Sequence, residues 1–356
     1  MAIRARCKSS GYRKEQRSEG GLKRMYVEQL SKLSRGERNE RYAAARMGAI
    51  LLVLSAGVPA ASVAQEAGTV AAAAGAHLAE SGVVAPNAPP APAPSPYLST
   101  WFHQSLGVVG SKDIRFGPHT TNDVYLEYEY FGRTGPFDLY GYVDLPRAFG
   151  VGNGYDSGYT NKGSPLFSEQ EPRVSIDDLL RRHLGFGPFK EWYVAFDWIY
   201  DQGHNTAGRQ NTLYMGFGTD IDTHTKLMLS ANLYVHRQWE NYGAANQNTW
   251  DGYRAQMKYI YPIGTFHGGN LTYVGFFNYD FGSKLREETG GNTRTDTAFV
   301  STNVLIYSFK HWRFWTAARY FHNGGQWGGT ELNFGDGPFQ NRSTGWGYYA
   351  SVGYQF

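Results

Sequence analysis

Residues 189–201 read FKEWYVAFDWIYD. Trp192, Val194, Phe196 and Trp198 alternate with Glu191, Tyr193 and Asp197. Side chains on a strand point to opposite faces in turn, so this spacing predicts one greasy face and one polar face. Moving outward, residues 122–131 repeat the pattern, with Val124, Leu126, Tyr128 and Tyr130 against Asp123, Tyr125, Glu127 and Glu129. In residues 136–145, Phe137, Leu139 and Val143 oppose Asp138, Tyr140, Tyr142 and Asp144. In residues 227–238, Leu227, Leu229, Ala231, Leu233 and Val235 oppose Ser230, Asn232, Tyr234, His236 and Gln238. Clusters of Gly, Asn, Asp and Pro separate these runs, as turns require. The fold class is all-β.

Strands with one apolar and one polar face suit either a soluble sandwich or a transmembrane antiparallel β-barrel with lipid outside and a polar lumen. The aromatic content favours the barrel. Of 56 Phe, Trp and Tyr residues, 53 fall in residues 97–356, and barrels carry such rings in girdles at both membrane interfaces. The last strand agrees: Tyr348, Ala350, Val352, Tyr354 and Phe356 alternate with Tyr349, Ser351, Gly353 and Gln355. A terminal aromatic strand resembles the signal read by the outer-membrane assembly machinery, an expected partner alongside outer-membrane lipid. A helical membrane protein is excluded by a mean hydropathy of −0.48 and by the lack of an apolar run of ~18 residues.

The basic balance of the chain belongs to its beginning. Residues 1–48 hold 13 Lys and Arg against 5 Glu, whereas the remainder holds 21 basic and 26 acidic residues. The main domain therefore lacks the electrostatic footprint of a nucleic-acid binder. Arg41 to Arg46, then Ile50, Leu51, Leu52, Val53 and Leu54, then Ser62-Val63-Ala64 follow the order of a secretory signal peptide with cleavage after Ala64. The length of basic sequence before Met47 points to translation starting at Met25 or Met47. Residues 1–64 are read as an extension and signal peptide, residues 65–96 as an Ala- and Pro-rich linker, and residues 97–356 as the barrel. The one cysteine, Cys7, lies in the leader, and no metal-ligand spacing is present, so neither cofactor nor metal is expected.

Several stretches resemble the nucleoside-specific channel-forming proteins of the bacterial outer membrane: residues 101–117 (WFHQSLGVVGSKDIRFG), 122–129 (NDVYLEYE), 185–193 (GFGPFKEWY), 214–223 (YMGFGTDIDT), 241–254 (NYGAANQNTWDGYR), 318–327 (ARYFHNGGQW) and 342–347 (RSTGWG). The resemblance implies a monomeric barrel of about 12 strands that passes nucleosides and deoxynucleosides by facilitated diffusion. It places Phe116 and Gly117 in the nucleoside path and matches Tyr142 and Asp144 to lumen positions. In that family, surface loops also serve phages and bacteriocins as receptors. The loops at residues 150–162 and 284–296 depart from the family's pattern, so that role does not transfer with the rest.

The residues fit an uncharged cargo with a flat base and a hydroxylated sugar. Tyr125, Tyr142, Tyr193 and Tyr214 offer stacking surfaces, and Glu127, Asp144, Asp197, Arg173, Arg254 and Lys258 offer hydrogen bonds. Such residues also pair with one another in any barrel. A general diffusion porin shows the same alternation. An outer-membrane lipase or deacylase is the other rival, because His103 and Ser105 share a strand face; an adhesin would place its function in the loops.

Overall fold

The computed structural model describes residues 100–153, 164–285, 293–333 and 337–356. The expected signal peptide and linker lie outside the described residues, as do parts of the two variable loops.

The strands are β1 (Thr100–Ile114), β2 (Thr121–Thr134), β3 (Phe137–Leu145), β4 (Phe167–Gln170), β5 (Arg173–Ser175), β6 (Phe189–Asp201), β7 (Gln210–Ile221), β8 (Met228–Asn241), β9 (Thr249–Phe266), β10 (Gly269–Phe281), β11 (Ala298–Phe309), β12 (Trp312–His322), β13 (Glu331–Asn333), β14 (Pro338–Gln340) and β15 (Gly345–Gln355). Every ladder is antiparallel between chain neighbours, and β1 pairs with β15 as well as β2, which closes the sheet. Closure leaves no strand edge in lipid, where an unpaired backbone group has no water to bond. β4 and β5 share one passage between β3 and β6, so the thirteen ladder elements make twelve passages. Pro172 interrupts that passage because it has no N–H to give. The ladder is bridged by Glu171 N–H donating to the Tyr140 carbonyl (2.8 Å) and Phe196 N–H donating to the Pro172 carbonyl (3.0 Å).

The two rims differ. At one end the connections are short: residues 135–136, 222–227, 267–268 and 310–311, with a longer one at residues 176–188 that carries the helix α1 (Ile176–Leu180). Ser175 caps α1 by accepting from the Asp178 amide. The other end bears six connections, three of them long (residues 146–166, 282–297 and 323–344), the last holding the β13–β14 hairpin. Short turns mark the periplasmic rim of such barrels, and long loops the outer rim.

The expected faces are realised. On β6, Tyr193, Ala195, Asp197 and Ile199 are buried on the inner wall, and Trp192, Val194, Phe196 and Trp198 form the outer face. On β8, Asn232, Tyr234, His236 and Gln238 are buried while Leu233 and Val235 are exposed outward. On β15, Tyr348, Val352 and Tyr354 are exposed on the outer surface. Burial thus lies on the lumen side, where polar side chains from facing walls meet.

Candidate functional site

The lumen wall is built from arginines held between carboxylates. Near the short-turn rim, Arg133 bonds Glu191 (2.6 Å) and Asp178 (2.8 Å), and Arg173 bonds Asp138 and Asp220 (2.9 Å for the latter) while lying 4.0 Å over the Tyr193 ring. The Tyr193 hydroxyl donates to Asp220 (2.8 Å). Further along, Arg254 donates to Asp197 Oδ2 (2.7 Å), to Asp280 Oδ1 (2.7 Å) and Oδ2 (3.0 Å), and to the Tyr214 hydroxyl (3.0 Å). Its guanidinium sits 3.6 Å from the Tyr214 ring centre, and the same ring stacks on His236 at 4.2 Å. Lys258 pairs with Glu171 (2.5 Å) 5.0 Å above Tyr140, and Arg313 pairs with Glu129. Amides fill the gaps: Gln256 donates to Glu171 (2.9 Å) and accepts from Asn232 (2.7 Å) and Tyr234 (3.1 Å).

Of the residues picked from sequence, Arg173, Tyr193, Asp197, Tyr214, Arg254 and Lys258 therefore stand on the lumen side, engaged by neighbouring carboxylates and by one another. Asp197 is fully buried. The other six, Phe116, Gly117, Tyr125, Glu127, Tyr142 and Asp144, belong to the neighbourhood below the long-loop rim. Glu127 and Asp144 are direct cross-strand partners on β2 and β3. Tyr142 donates to Glu169 on β4, which lies beside it in the ladder. Phe116, in the β1–β2 loop, is half exposed and meets Phe321 edge-on at 5.0 Å.

A residue not picked from sequence sits among these six. Arg319, on β12, has its guanidinium 5.3 Å from the Phe116 ring, 5.6 Å from Phe276 and 4.9 Å from Tyr349. It donates to Thr302 Oγ1 (2.7 Å) and to the Tyr349 hydroxyl (3.0 Å), and among the described residues it forms no ion pair. It lies within electrostatic reach of Tyr125, Tyr142 and Glu169, and of Glu127 and Asp144 as well. Two of the five guanidinium N–H groups are thus used, whereas Arg254 uses four. Asp144, nearly buried, keeps Oδ1 without a partner. Alternation on β12 could have flagged Arg319, since it lies on the same face as Ala317 and Phe321, both buried.

The mouth is fixed by the chain's far end. Arg115 donates to the carbonyls of Arg342 (2.7 Å) and Trp346 (3.1 Å), and Arg342 N–H donates to Pro118 (2.7 Å). Gly324 packs so closely that a Cβ there would come within 1.7 Å of the Arg115 carbonyl oxygen. Gly325, at φ +62°, lies equally tight against the Phe116 carbonyl, with 2.3 Å to a hypothetical Cβ. Only glycine fits both the approach and the left-handed backbone.

His103 and Ser105 stand two apart on the inner side of β1, close to the short-turn rim. Ser105 is buried, and His103 Nδ1 lies 3.0 Å from Gln355 Nε2. This pair faces the lumen, away from the lipid that an outer-membrane lipase attacks.

A closed twelve-passage barrel with a charged, ring-lined lumen and a furnished mouth defines a channel protein of the outer membrane. Residues 98–356 match the family model described as nucleoside-specific channel-forming protein, Tsx, and the chain belongs to that family. Over 261 residues it is 54% identical to the nucleoside-specific channel-forming protein Tsx of Salmonella typhimurium, covering 73% of this chain and 90% of that protein. Over 290 residues it is 53% identical to the Tsx of Escherichia coli O157:H7, covering 80% and 98%. The outer membrane protein OmpK of Vibrio parahaemolyticus serotype O3:K6 is 30% identical over 243 residues, covering 67% and 82%.

Proposed function

We propose that this barrel conducts nucleosides and deoxynucleosides across the outer membrane by facilitated diffusion, one barrel being a complete channel. The carrying observation is Arg319. It is a cation with spare donors, set among the rings of Phe116, Phe276 and Tyr349 and within electrostatic reach of Glu127 and Asp144. Rings and a guanidinium plane stack a base in a sequence-tolerant way, and carboxylate and hydroxyl groups receive a ribose. Phe116, Gly117, Tyr125, Glu127, Tyr142 and Asp144 make this mouth site with Arg319. Arg173, Tyr193, Asp197, Tyr214, Arg254 and Lys258 form the onward path, where paired charges offer weak, repeated contacts suited to passage. The 54% identity to a protein named for nucleoside-specific channel formation supports the cargo. The sides of the barrel meet outer-membrane lipid, and the outward rings of β15 suit recognition by the assembly machinery.

Single-channel recording in a planar bilayer tests this reading. Adenosine and thymidine should interrupt the current at low concentration, while ribose alone and disaccharides of similar size should not. Equal effects of all these solutes would make the protein a general diffusion porin. Phe116→Ala should weaken the nucleoside block; unchanged block would remove Phe116 from the site. The lipase reading predicts ester hydrolysis lost in Ser105→Ala, and no such activity is expected.

A further inference from the structure

The turns of the short-turn rim carry cations just beyond the outer rings of the barrel. Lys310 and His311 form the β11–β12 turn; the Lys310 ammonium is 5.2 Å from the Phe309 ring, and His311 stacks on Tyr354 at 5.4 Å. His267, in the β9–β10 turn, meets Phe266 edge-on at 4.3 Å. In the connection between β5 and β6, Arg181, Arg182 and His183 are exposed next to exposed Leu179 and Leu180, and Phe186 stacks on outward Trp192 at 6.0 Å. Lys226 is exposed in the β7–β8 turn.

The acids of the same turns are turned away or already held. Asp177 is buried and accepts from the amides of Leu184 (2.8 Å) and Trp192 (3.1 Å). Asp178 reaches into the lumen to Arg133, and Asp222 lies 3.7 Å from Lys190. The rim therefore carries exposed cations in its turns, one of them over the outer-face ring of Phe309. Rings followed by Lys and Arg are the arrangement of a protein surface at headgroup depth, and anionic lipid attracts each such cation.

We infer that the short-turn rim is a binding surface for anionic phospholipid headgroups, with Arg182, Lys226 and Lys310 contacting phosphates and Leu179, Leu180 and Phe186 seated in the acyl border. Continuity with the lipid-facing belt selects a bilayer leaflet as the occupant: Phe309, Tyr354 and Trp192 belong to both surfaces. The function proposed for the lumen is not needed for this.

The test uses the full barrel reconstituted in vesicles of phosphatidylcholine and phosphatidylglycerol, with spin-labelled forms of each lipid reporting motional restriction at the barrel. A preference for the labelled phosphatidylglycerol of roughly two- to fivefold is expected at low salt, the order one cation at an anionic surface supplies, and it should shrink at 1 M salt. The triple variant Arg182→Gln, Lys226→Gln, Lys310→Gln should lose it. The charge-retaining Arg182→Lys, Lys226→Arg, Lys310→Arg should keep it. Heat-dependent gel mobility verifies that each barrel is folded. Equal association of the two lipids with the unmodified barrel would overturn the inference, as would a preference that survives the triple Gln variant. So would its loss on neutralising Lys112 and Arg147 near the opposite rim.

Discussion

Removing the Arg254 guanidinium should cost the barrel more than any other single lumen truncation. In Arg254→Met the aliphatic stem is retained, but Asp197, with a fully buried side chain, loses the guanidinium that donates to it at 2.7 Å. Asp280 is about a quarter exposed, so water recovers much of its loss. Contact between opposite charges at an effective dielectric near 20 is worth roughly 4 kcal/mol, and breaking a buried pair costs about 3–5 kcal/mol. Screening by lumen water places the expected loss near the lower bound, ~3 kcal/mol. Equilibrium urea unfolding of the barrel in lipid vesicles, followed by tryptophan fluorescence, measures it. Asp197→Asn added to Arg254→Met should recover most of the loss, because the penalty lies in the orphaned carboxylate rather than in missing packing. A change under about 1 kcal/mol, or no recovery in the double variant, would refute the assignment of Arg254 as the tie of this wall.

Three further outcomes follow from the same geometry. Arg319→Gln should weaken nucleoside block by about tenfold, the effect of losing one charge-assisted contact, with Arg319→Lys intermediate and little change in unfolding midpoint; planar-bilayer recording reads it. Gly324→Ala should displace the β1–β2 loop from the mouth and cost about 1–3 kcal/mol, visible as lost nucleoside block with ionic current retained. Leu233→Arg, on the outer face of β8, should destabilise the barrel by about 2–4 kcal/mol if it lies near the bilayer midplane, lowering the folded fraction on a heat-dependent gel, whereas a polar exchange on the inner face of the same strand should cost less.

The faces of the barrel were legible because period-two alternation is a local property: β2, β3, β6 and β8 each display it within one strand. The strand limits were nearly right for the same reason, as with residues 189–201. What alternation cannot give is which walls face each other across the lumen. Arg254 meets Asp197 from 57 residues away and Asp280 from 26, so neither partner is visible beside it in the chain. Arg173 and Arg254 read from sequence either as substrate contacts or as members of charge pairs, and in the structure carboxylates engage their donors. Arg319 looked ordinary and holds the spare donors. The helix α1 was too short for a periodic signal, and only Ser175 ahead of Asp177 and Asp178 hinted at a capped turn. The split of one passage into β4 and β5 was written in Pro172, a residue that cannot donate to a ladder.

The tie between residues 115–116 and the two glycines 324–325 has a bearing on biogenesis. These positions are some two hundred residues apart and meet only when the first strand has zipped to the last. A sheet that is still open can pair Arg254 with Asp197 and Asp280, yet it has neither the Arg313–Glu129 pair nor an organised mouth. Selectivity then arrives with the final seam, so a partly assembled barrel would leak ions before it could recognise any solute. Checking that the seam is shut and checking that the filter is built are, for this protein, one and the same inspection.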